Sequence, residues 1–397
     1  MESLSQRVNA LSPSATIAMN QRSRDLRAKG VDVINMGVGE PDFNTPDHIK
    51  EAAKKAIDDN FSFYPPVAGY PDLKKAIVSK FKRENDLDFT PEQILVSSGA
   101  KHSLANALMA IIDKGDEVII PAPYWVSYLE LVKLCEGKPV VIEAKFENDF
   151  KITPAQLQNA ITPKTKAFMI CSPSNPSGAV YSKDELKAFA GILLKHERII
   201  TLSDEIYEHI NFVGRHESLA QFPALKERVV VINGVSKAYA MTGWRIGYMG
   251  APLWITKACD KLQGQMTTGA CTIAQKAAVA ALTMEQQCVE DMREAFYRRK
   301  VLMVKLVRDI EGLKVYDPEG SFYVFPLVTY YLGKSVNGRT INNTTDLCLY
   351  LLEEAHISTV PGEAFGDPDC IRISFANSDE NLIEAMRRMK EALGRMK

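Results

Sequence analysis

The sequence predicts an α/β fold, built as a mostly parallel central sheet flanked by helices, with a smaller α/β domain at the C-terminal end. Between about residues 45 and 290, short apolar, β-branched runs alternate with amphipathic stretches, which is the order of a parallel sheet with helical crossovers. At 397 residues the chain exceeds the roughly 250 to 300 residues at which a single core stops growing. We therefore expect two domains.

Six segments are predicted to form the strands of the large sheet. Most of them are apolar at successive positions, a pattern typical of strands that are buried on both faces. The predicted strands are residues 94–97, 117–121, 139–143, 166–171, 199–203 and 228–232.

Helices are predicted at both ends of the chain. Thr45 and Pro46 resemble an N-cap followed by proline at the first helical position. The next apolar residues keep the spacing of one helix face: Ile49, Ala52, Ala53, Ala56 and Ile57. Ser378 is the predicted cap of a last helix, which packs through Leu382, Ala385, Met386, Met389 and Leu393.

The last hundred residues change in character. A helical, Arg-rich stretch at 292–308 precedes the strand-like segments 321–326 and 371–375. We predict an N-terminal segment (1–44) that packs with the small domain, a large domain (45–295) and a small domain (296–397). No repeat or low-complexity linker separates the two domains, so we expect their boundary, near Ala295, to lie within a continuous helix.

Charge and composition argue against several classes of protein. Lysine and arginine number 48 against 49 acidic residues, which leaves no broad basic field for a nucleic acid or an anionic membrane surface. No apolar run approaches the roughly 18 residues of a membrane helix, and the start lacks a secretory signal pattern. Seven scattered cysteines without a CxxC pair give no sign of a metal site. The sequence predicts a cytoplasmic protein without a metal.

The segment 235–247 carries the strongest chemical signal, because Lys237 follows directly on a predicted buried strand. A lysine in that position, among small and aromatic neighbours, can be desolvated enough to favour its neutral amine, the form that builds an imine with an aldehyde. Ser236 and Arg245 add a hydroxyl and a planar guanidinium fork that suit a phosphate. The alternative interpretation of Lys237 is a solvated loop lysine.

Backbone donors for the same phosphate are predicted at Gly99, Ala100 and Lys101, where a strand ends at glycine and a helical stretch follows. Amides at a helix N-terminus point outward and carry the positive end of the helix dipole. The residues by themselves leave two interpretations open, since any strand-to-helix turn can use glycine for its backbone freedom.

Polar side chains follow two further strands at their C-terminal ends, where open α/β sheets bind ligands. Asn175 follows one of these strands, and Asp204 and Tyr207 follow the other. A carboxylate that faces a pyridine nitrogen keeps it protonated, and a protonated ring accepts the electrons left when a substrate loses its α-proton. Asn175 and Tyr207 can donate to a phenolate oxygen on the same ring.

In this order, the motifs resemble those of the fold-type-I aminotransferases that use pyridoxal 5′-phosphate (PLP), specifically the aspartate aminotransferase family and its bacterial subgroup Ib. The resemblance spans nearly the whole chain. Besides the segments above, it rests on residues 14–16, 37–43, 64–69, 123–128, 320–323, 360–362 and 372–374. It implies the PLP-dependent transferase fold type I, with a large domain around the sheet and a smaller α/β domain.

The resemblance implies catalytic roles for Lys237, Asp204 and Tyr207. Lys237 would hold PLP as a Schiff base and move a proton between the substrate Cα and the cofactor C4′. Asp204 would pair with the pyridine nitrogen, Trp125 would stack on the ring, and Asn175 with Tyr207 would hold its O3′.

The resemblance also implies which residues bind the cofactor phosphate and the substrate carboxylate. Ser236, Arg245 and the amides around Gly99, Ala100 and Lys101 would bind the phosphate. Tyr64 would reach it from the second subunit of a homodimer. Arg372 would clasp the substrate α-carboxylate, while Gly39 lies in the N-terminal segment that closes over the substrate. Trp125 and Asn175 would also border the substrate.

Lys101 and Thr16 bear on the choice of substrate. In this subgroup, a lysine and a threonine at these positions meet the distal carboxylate of a dicarboxylic substrate. An unpaired buried ammonium would penalise apolar side chains. The alternatives are a solvated Lys101 and a Thr16 that caps a helix. The resemblance implies an aspartate:2-oxoglutarate aminotransferase with ping-pong kinetics.

Other functions stay open on the sequence alone. A prephenate aminotransferase, or an enzyme active on both aspartate and prephenate, is the nearest alternative, because prephenate also carries a second carboxylate. Aromatic or alanine aminotransferases and PLP-dependent lyases are further ones. A ligand-sensing domain of a transcription regulator lacks support, because residues 1–45 contain neither a helix-turn-helix pattern nor a basic cluster. An inactive scaffold is disfavoured because every demanding position carries a competent residue type.

Overall fold

The computed structural model of the chain describes residues 4–13 and 15–397, so Ser14 of the 14–16 motif lies outside the described residues. The helices are α1 (Gln6–Asn9), α2 (Ala15–Ala28), α3 (Asp47–Asp58), α4 (Pro71–Asn85), α5 (Ala100–Ile111), α6 (Ser127–Leu134), α7 (Pro154–Ala160), α8 (Lys183–Leu193), α9 (Leu253–Met266), α10 (Thr272–Thr283), α11 (Gln287–Arg308), α12 (Thr344–Glu354) and α13 (Asp379–Leu393).

The strands are β1 (Ile34–Asn35), β2 (Ile94–Ser97), β3 (Glu117–Ala122), β4 (Lys138–Glu143), β5 (Thr165–Cys171), β6 (Ile200–Asp204), β7 (Val229–Gly234), β8 (Gly247–Gly250), β9 (Tyr323–Val324), β10 (Ser335–Val336), β11 (Arg339–Thr340), β12 (Ile357–Ser358), β13 (Val360–Pro361) and β14 (Ile371–Ser374). All six predicted strands of the large sheet are present, and each boundary agrees with the prediction to within two residues.

The large sheet has seven strands in the order β2-β8-β7-β6-β5-β3-β4. The neighbours from β7 to β4 pair in parallel, while β8 runs antiparallel to both β7 and β2. The α/β prediction is therefore confirmed, and β8 is the strand that the prediction missed. Its sequence, Gly-Tyr-Met-Gly, begins and ends with a residue that strands disfavour.

The first predicted helix exists, but its cap is different. Helix α3 begins at Asp47, with Pro46 at the N-cap position and no side-chain cap. The Thr45 hydroxyl instead donates to the carbonyl of Ala240 over 2.7 Å, so it ties this segment to the loop after β7. On the predicted apolar face Ile57 is 58% exposed, which makes its placement wrong.

The last predicted helix agrees with the structure at both its cap and its face. The Ser378 side chain accepts from the backbone amide of Asn381. The five predicted packing residues, Leu382, Ala385, Met386, Met389 and Leu393, are all buried.

The C-terminal part contains a three-stranded sheet in the order β13-β14-β9, which places Arg372 on its middle strand. Helix α11 runs without a break through Ala295. Its buried residue Phe296 belongs to a hydrophobic cluster that joins Met19 and Met36 of the N-terminal segment to Phe322 and Leu382. The three domain limits themselves stay a prediction. Within the described residues, no helix is long and apolar enough to cross a membrane.

Candidate active site

A cavity of about 320 Å³ lies at the C-terminal ends of the parallel strands, where Asn175 follows β5, Asp204 ends β6 and Lys237 follows β7. Parallel strands all end at the same edge of a sheet, which is why residues far apart in sequence meet there. The predicted site residues that line the cavity are Thr16, Gly39, Ala100, Lys101, Trp125, Asn175, Asp204, Tyr207, Ser236, Lys237, Arg245 and Arg372.

Lys237 projects into this cavity and donates from Nζ to the carbonyl oxygen of Gly39 over 2.6 Å. Desolvation lowers the pKa of Lys237 to about 8, and the cations Arg372 and Arg245 act in the same direction. The solvated-loop interpretation is therefore wrong. A lysine with this pKa has a substantial neutral fraction near neutral pH, as nucleophilic attack on an aldehyde requires.

Asp204 is buried at the end of β6, with a donor on each of its carboxylate oxygens. The hydroxyl of Tyr128 donates to Oδ2 over 2.6 Å, and the amide of Ile206 donates to Oδ1 over 3.3 Å. Burial raises the pKa of Asp204 to about 6, against the effect of the Tyr128 hydrogen bond. Its carboxylate can meet a protonated ring nitrogen.

Arg372 is 2% exposed and is held by two hydrogen bonds. Nη1 donates to Asn175 Oδ1 over 2.9 Å, and Nη2 donates to the carbonyl of Gly37 over 2.8 Å. The guanidinium carbon lies 4.5 Å from the ring centre of Tyr323 and 4.9 Å from that of Phe365. Nε has no partner within the described part of the chain. A buried guanidinium with an unused N–H suits a carboxylate ligand.

Tyr207 and Tyr323 share a hydrogen bond of 2.8 Å between their hydroxyls, deep in the cavity. The Tyr323 hydroxyl also lies 2.9 Å from where a side-chain carbon at Gly39 would stand. Any larger residue at position 39 would displace Tyr323. Glycine there is thus a steric requirement of this site.

The N-terminus of α5 and the residues after β7 form the candidate phosphate subsite. Gly99 is the N-cap residue and has φ +89°, a conformation that L side chains rarely adopt. A side-chain carbon there would also stand 2.9 Å from Cζ of Arg245. The amides of Ala100 and Lys101 at the start of α5, the Ser236 side chain and the Arg245 fork together suit a dianion. Gly99 shapes this subsite without itself lining the cavity.

Lys101 and Thr16 both line the cavity. The Lys101 ammonium lies 4.8 Å from the ring centre of Trp125. Lys101 is exposed, as the solvated alternative expected. Desolvation at the cavity wall nevertheless lowers the pKa of Lys101, and the Arg245 charge adds to this effect. Thr16 stands in the first turn of α2, which begins at Ala15, so the helix-cap alternative is wrong.

Tyr64 lies at the surface of its own chain. Its side chain is 90% exposed and does not line the cavity. A role for Tyr64 in a partner's site stays a prediction.

Sequence reasoning missed residues that the structure adds to the lining. Tyr128, Tyr323 and Thr242 all contribute to it. All three lie inside segments that carried the resemblance, 123–128, 235–247 and 320–323. Their position in these motifs was the signal that could have identified the three residues. The hydrogen-bond partners of Tyr128 and Tyr323, by contrast, come from remote parts of the chain.

The residues of the cavity fit PLP. An amine of lowered pKa, a buried carboxylate, a phenol and an amide surround one volume, and the helix N-terminus that follows Gly99 at its edge is of a kind that suits a phosphate. The unused Nε of Arg372 leaves a place for a carboxylate next to them.

Comparison with known proteins gives consistent matches. The model of the family described as aminotransferase class I and II matches residues 31–389. An aspartate/prephenate aminotransferase of Nitrosomonas europaea is 49% identical, with 98% of this chain and 99% of that protein covered. An aspartate aminotransferase of Geobacillus stearothermophilus is 46% identical, with 97% of this chain and 98% of that protein covered. The crystal structure of an aspartate aminotransferase from Rhizobium meliloti superposes with a TM-score of 0.96 at 44% identity, with 100% of both chains covered.

Proposed function

We propose, for a chain that belongs to the class I and II aminotransferases, that it catalyses reversible amino transfer from L-aspartate to 2-oxoglutarate, giving oxaloacetate and L-glutamate. The enzyme is a PLP-dependent transaminase. Four cationic side chains line the cavity, and we assign Lys237 and Arg245 to the cofactor. The observation that carries the choice of substrate is the remaining pair, Arg372 and Lys101. Two cations offer sites for the two carboxylates of a dicarboxylic amino acid.

PLP bound through its aldehyde supplies an electron-withdrawing ring that stabilises negative charge at the substrate Cα. Lys237 would bind the aldehyde, and Asp204 would pair with the ring nitrogen. Trp125 would cover one face of the ring, while Asn175 and Tyr207 would hold its phenolate oxygen. These side chains already line the cavity, and Lys237, Asp204, Asn175 and Tyr207 are held there by hydrogen bonds within the protein. Little reorganisation of the site is then needed during the reaction.

Lys237 is also the proton carrier of the proposed reaction. With PLP bound, the Lys237 amine would be the group that carries the proton between the substrate Cα and the cofactor. Desolvation lowers the pKa of the free amine to about 8, so part of it is neutral at pH 7 and can accept a proton. Its hydrogen bond to the Gly39 carbonyl holds the amine on the N-terminal side of the cavity.

Arg372 binds the α-carboxylate, and Lys101 with Thr16 binds the distal one. The relatives from Geobacillus stearothermophilus and Rhizobium meliloti are both named aspartate aminotransferases. These names support the assignment of a dicarboxylic substrate. So does a Thermus thermophilus aspartate aminotransferase solved with maleate, which is 42% identical with a TM-score of 0.93.

Prephenate is the second candidate acceptor. Relatives from Nitrosomonas europaea and Cereibacter sphaeroides, 49% and 47% identical, are named aspartate/prephenate aminotransferases. Prephenate also carries a second carboxylate, so the presence of Lys101 and Thr16 does not distinguish it from 2-oxoglutarate. An enzyme that uses both acceptors is compatible with the same cavity.

We also propose a homodimer in the cytoplasm, with each site completed by Tyr64 of the other subunit. Phe63 and Tyr64 are 79% and 90% exposed on a single chain. Two neighbouring aromatic side chains that project so far suit burial against a second copy.

Single half-reactions test the proposed function. The purified, PLP-loaded protein is mixed separately with aspartate, glutamate, phenylalanine and alanine, and the cofactor absorbance is followed from the pyridoxal to the pyridoxamine form. Oxaloacetate, 2-oxoglutarate and prephenate are then added as acceptors. Fast conversion by aspartate and glutamate, reversed by the matching 2-oxo acids, is expected. Reversal by prephenate would add the second activity, and no conversion by any amino acid would favour a lyase.

A further inference from the structure

Tyr128 contacts two residues that we place against the cofactor ring. Its hydroxyl donates to Oδ2 of Asp204 over 2.6 Å. Its ring meets the ring of Trp125 edge-on, with centroids 5.6 Å apart and planes at 87°. Tyr128 itself is 2% exposed, so both contacts are made in a dry environment.

Asp204 depends on its donors because it is buried. Desolvation favours the neutral acid, and each hydrogen bond to the carboxylate favours the charged form. The Ile206 amide supplies the other donor at a longer distance of 3.3 Å. Tyr128 therefore provides the shorter of the two bonds, and a short O–H···O⁻ bond is the stronger kind.

On the basis of the proposed function, we infer that Tyr128 is a positioning residue, which keeps the Asp204 carboxylate ionised and aimed at the pyridine nitrogen and braces Trp125 beside the ring. The role is specific to the ring nitrogen, because Asp204 has no charge to meet on a ring without it. This specificity separates positioning from a general contribution to packing.

Cofactor titration tests the inference without any substrate. Protein free of cofactor is titrated with PLP and with the analogue in which the ring nitrogen is replaced by C–H. The titrations use the unchanged protein, Tyr128→Phe, which keeps the ring against Trp125, and the control Tyr124→Phe, a neighbouring tyrosine outside the cavity lining. Tyr128→Phe is expected to weaken PLP binding roughly 10-fold or more, as for a lost hydrogen bond to a charged group. Binding of the analogue should change less than about 3-fold, and Tyr124→Phe should change neither.

Equal losses for PLP and its analogue, or no loss for either, would overturn the inference. The Asp204→Asn background adds a second measurement, in which Tyr128→Phe should cause no further loss of PLP affinity; the same loss as in the unchanged protein would contradict us. If Tyr128→Phe fails to fold, Asp204→Asn alone must abolish the preference for PLP over the analogue, and a retained preference would overturn the inference. Amino transfer from aspartate plays no part in these titrations, so the two proposals fail independently.

Discussion

Arg372 Nη1 donates to Asn175 Oδ1 over 2.9 Å, across 197 residues of sequence. The bond joins the small sheet that carries Arg372 to the loop after β5 in the large sheet. Arg372, which we assign to the substrate α-carboxylate, is thereby oriented by Asn175, which we assign to the cofactor ring. Substrate binding and cofactor binding share one polar contact.

Replacement of Arg372 tests the α-carboxylate site. Arg372→Lys keeps the charge but loses the planar fork, so kcat/KM for every amino donor should fall roughly 100-fold. The absorbance of the bound cofactor should stay unchanged. Steady-state kinetics with aspartate and alanine measure the effect, and an unaltered kcat/KM for both would refute the assignment.

Replacement of Lys237 tests the covalent anchor and the proton carrier together. Lys237→Ala should abolish the visible absorption band of the lysine-bound cofactor and reduce turnover roughly 10⁴-fold or more. Lys101→Ala, another lysine of the same cavity, should keep the band and serves as the matched control. Normal turnover by Lys237→Ala would mean that the anchor lies elsewhere.

The pH dependence of cofactor capture follows from the pKa of Lys237. Only the neutral amine attacks an aldehyde, and desolvation lowers the pKa of this amine to about 8. The capture rate should therefore rise about tenfold per pH unit below pH 8 and level off above it. Stopped-flow absorbance after mixing PLP with cofactor-free protein measures this rate. A rise that continues to pH 10 would indicate an ordinary, solvated lysine.

Replacement of Lys101 tests the second carboxylate. Lys101→Met keeps the length of the side chain and removes its charge, so the kcat/KM for aspartate and glutamate should fall roughly 10- to 100-fold. The values for alanine and phenylalanine should stay the same or rise. Thr16→Val removes only a hydroxyl and should give a smaller loss in the same direction. Equal losses for mono- and dicarboxylic donors would assign Lys101 to the cofactor instead.

A buried ion pair outside the cavity lining allows a prediction about the stability of the fold. Lys80 is 0% exposed and pairs with Glu208, which also accepts from Asn85 and Asn233. Burial, the largest single effect, would raise the pKa of Glu208, but the charges of Lys80, His209 and His216 and the Lys80 hydrogen bond together hold that pKa below its usual value.

Lys80→Met should therefore lower the free energy of unfolding by about 3 to 5 kcal/mol at pH 7, because it leaves a buried charge without its partner. The Glu208 pKa is depressed in the folded state, so the pair's stabilisation is present above the ordinary carboxylate pKa and is lost in acid. Urea unfolding at pH 7 measures the loss. The exposed Lys54–Glu51 pair provides the control, since Lys54→Met should leave the free energy of unfolding nearly unchanged.

The sequence alone determined the α/β class, six of the seven strands of the large sheet, and many of the residues that line the cavity, among them Lys237, Asp204 and Arg372. These features depend on local information, because hydrophobic runs, turn residues and motif positions are written in consecutive residues. The glycine-bounded strand β8 and the cap of α3 escaped that reasoning. In both cases a contact from a distant segment outweighed the local preference.

Only the tertiary structure decided how the site residues are held. The bonds of Tyr128 to Asp204, Arg372 to Asn175 and Lys237 to Gly39 span 76, 197 and 198 residues. No pattern in one segment encodes such a distance. Burial, which sets the pKa of Lys237 near 8 and that of Asp204 near 6, is likewise a property of the packed chain, because desolvation exists only once the surrounding residues are in place.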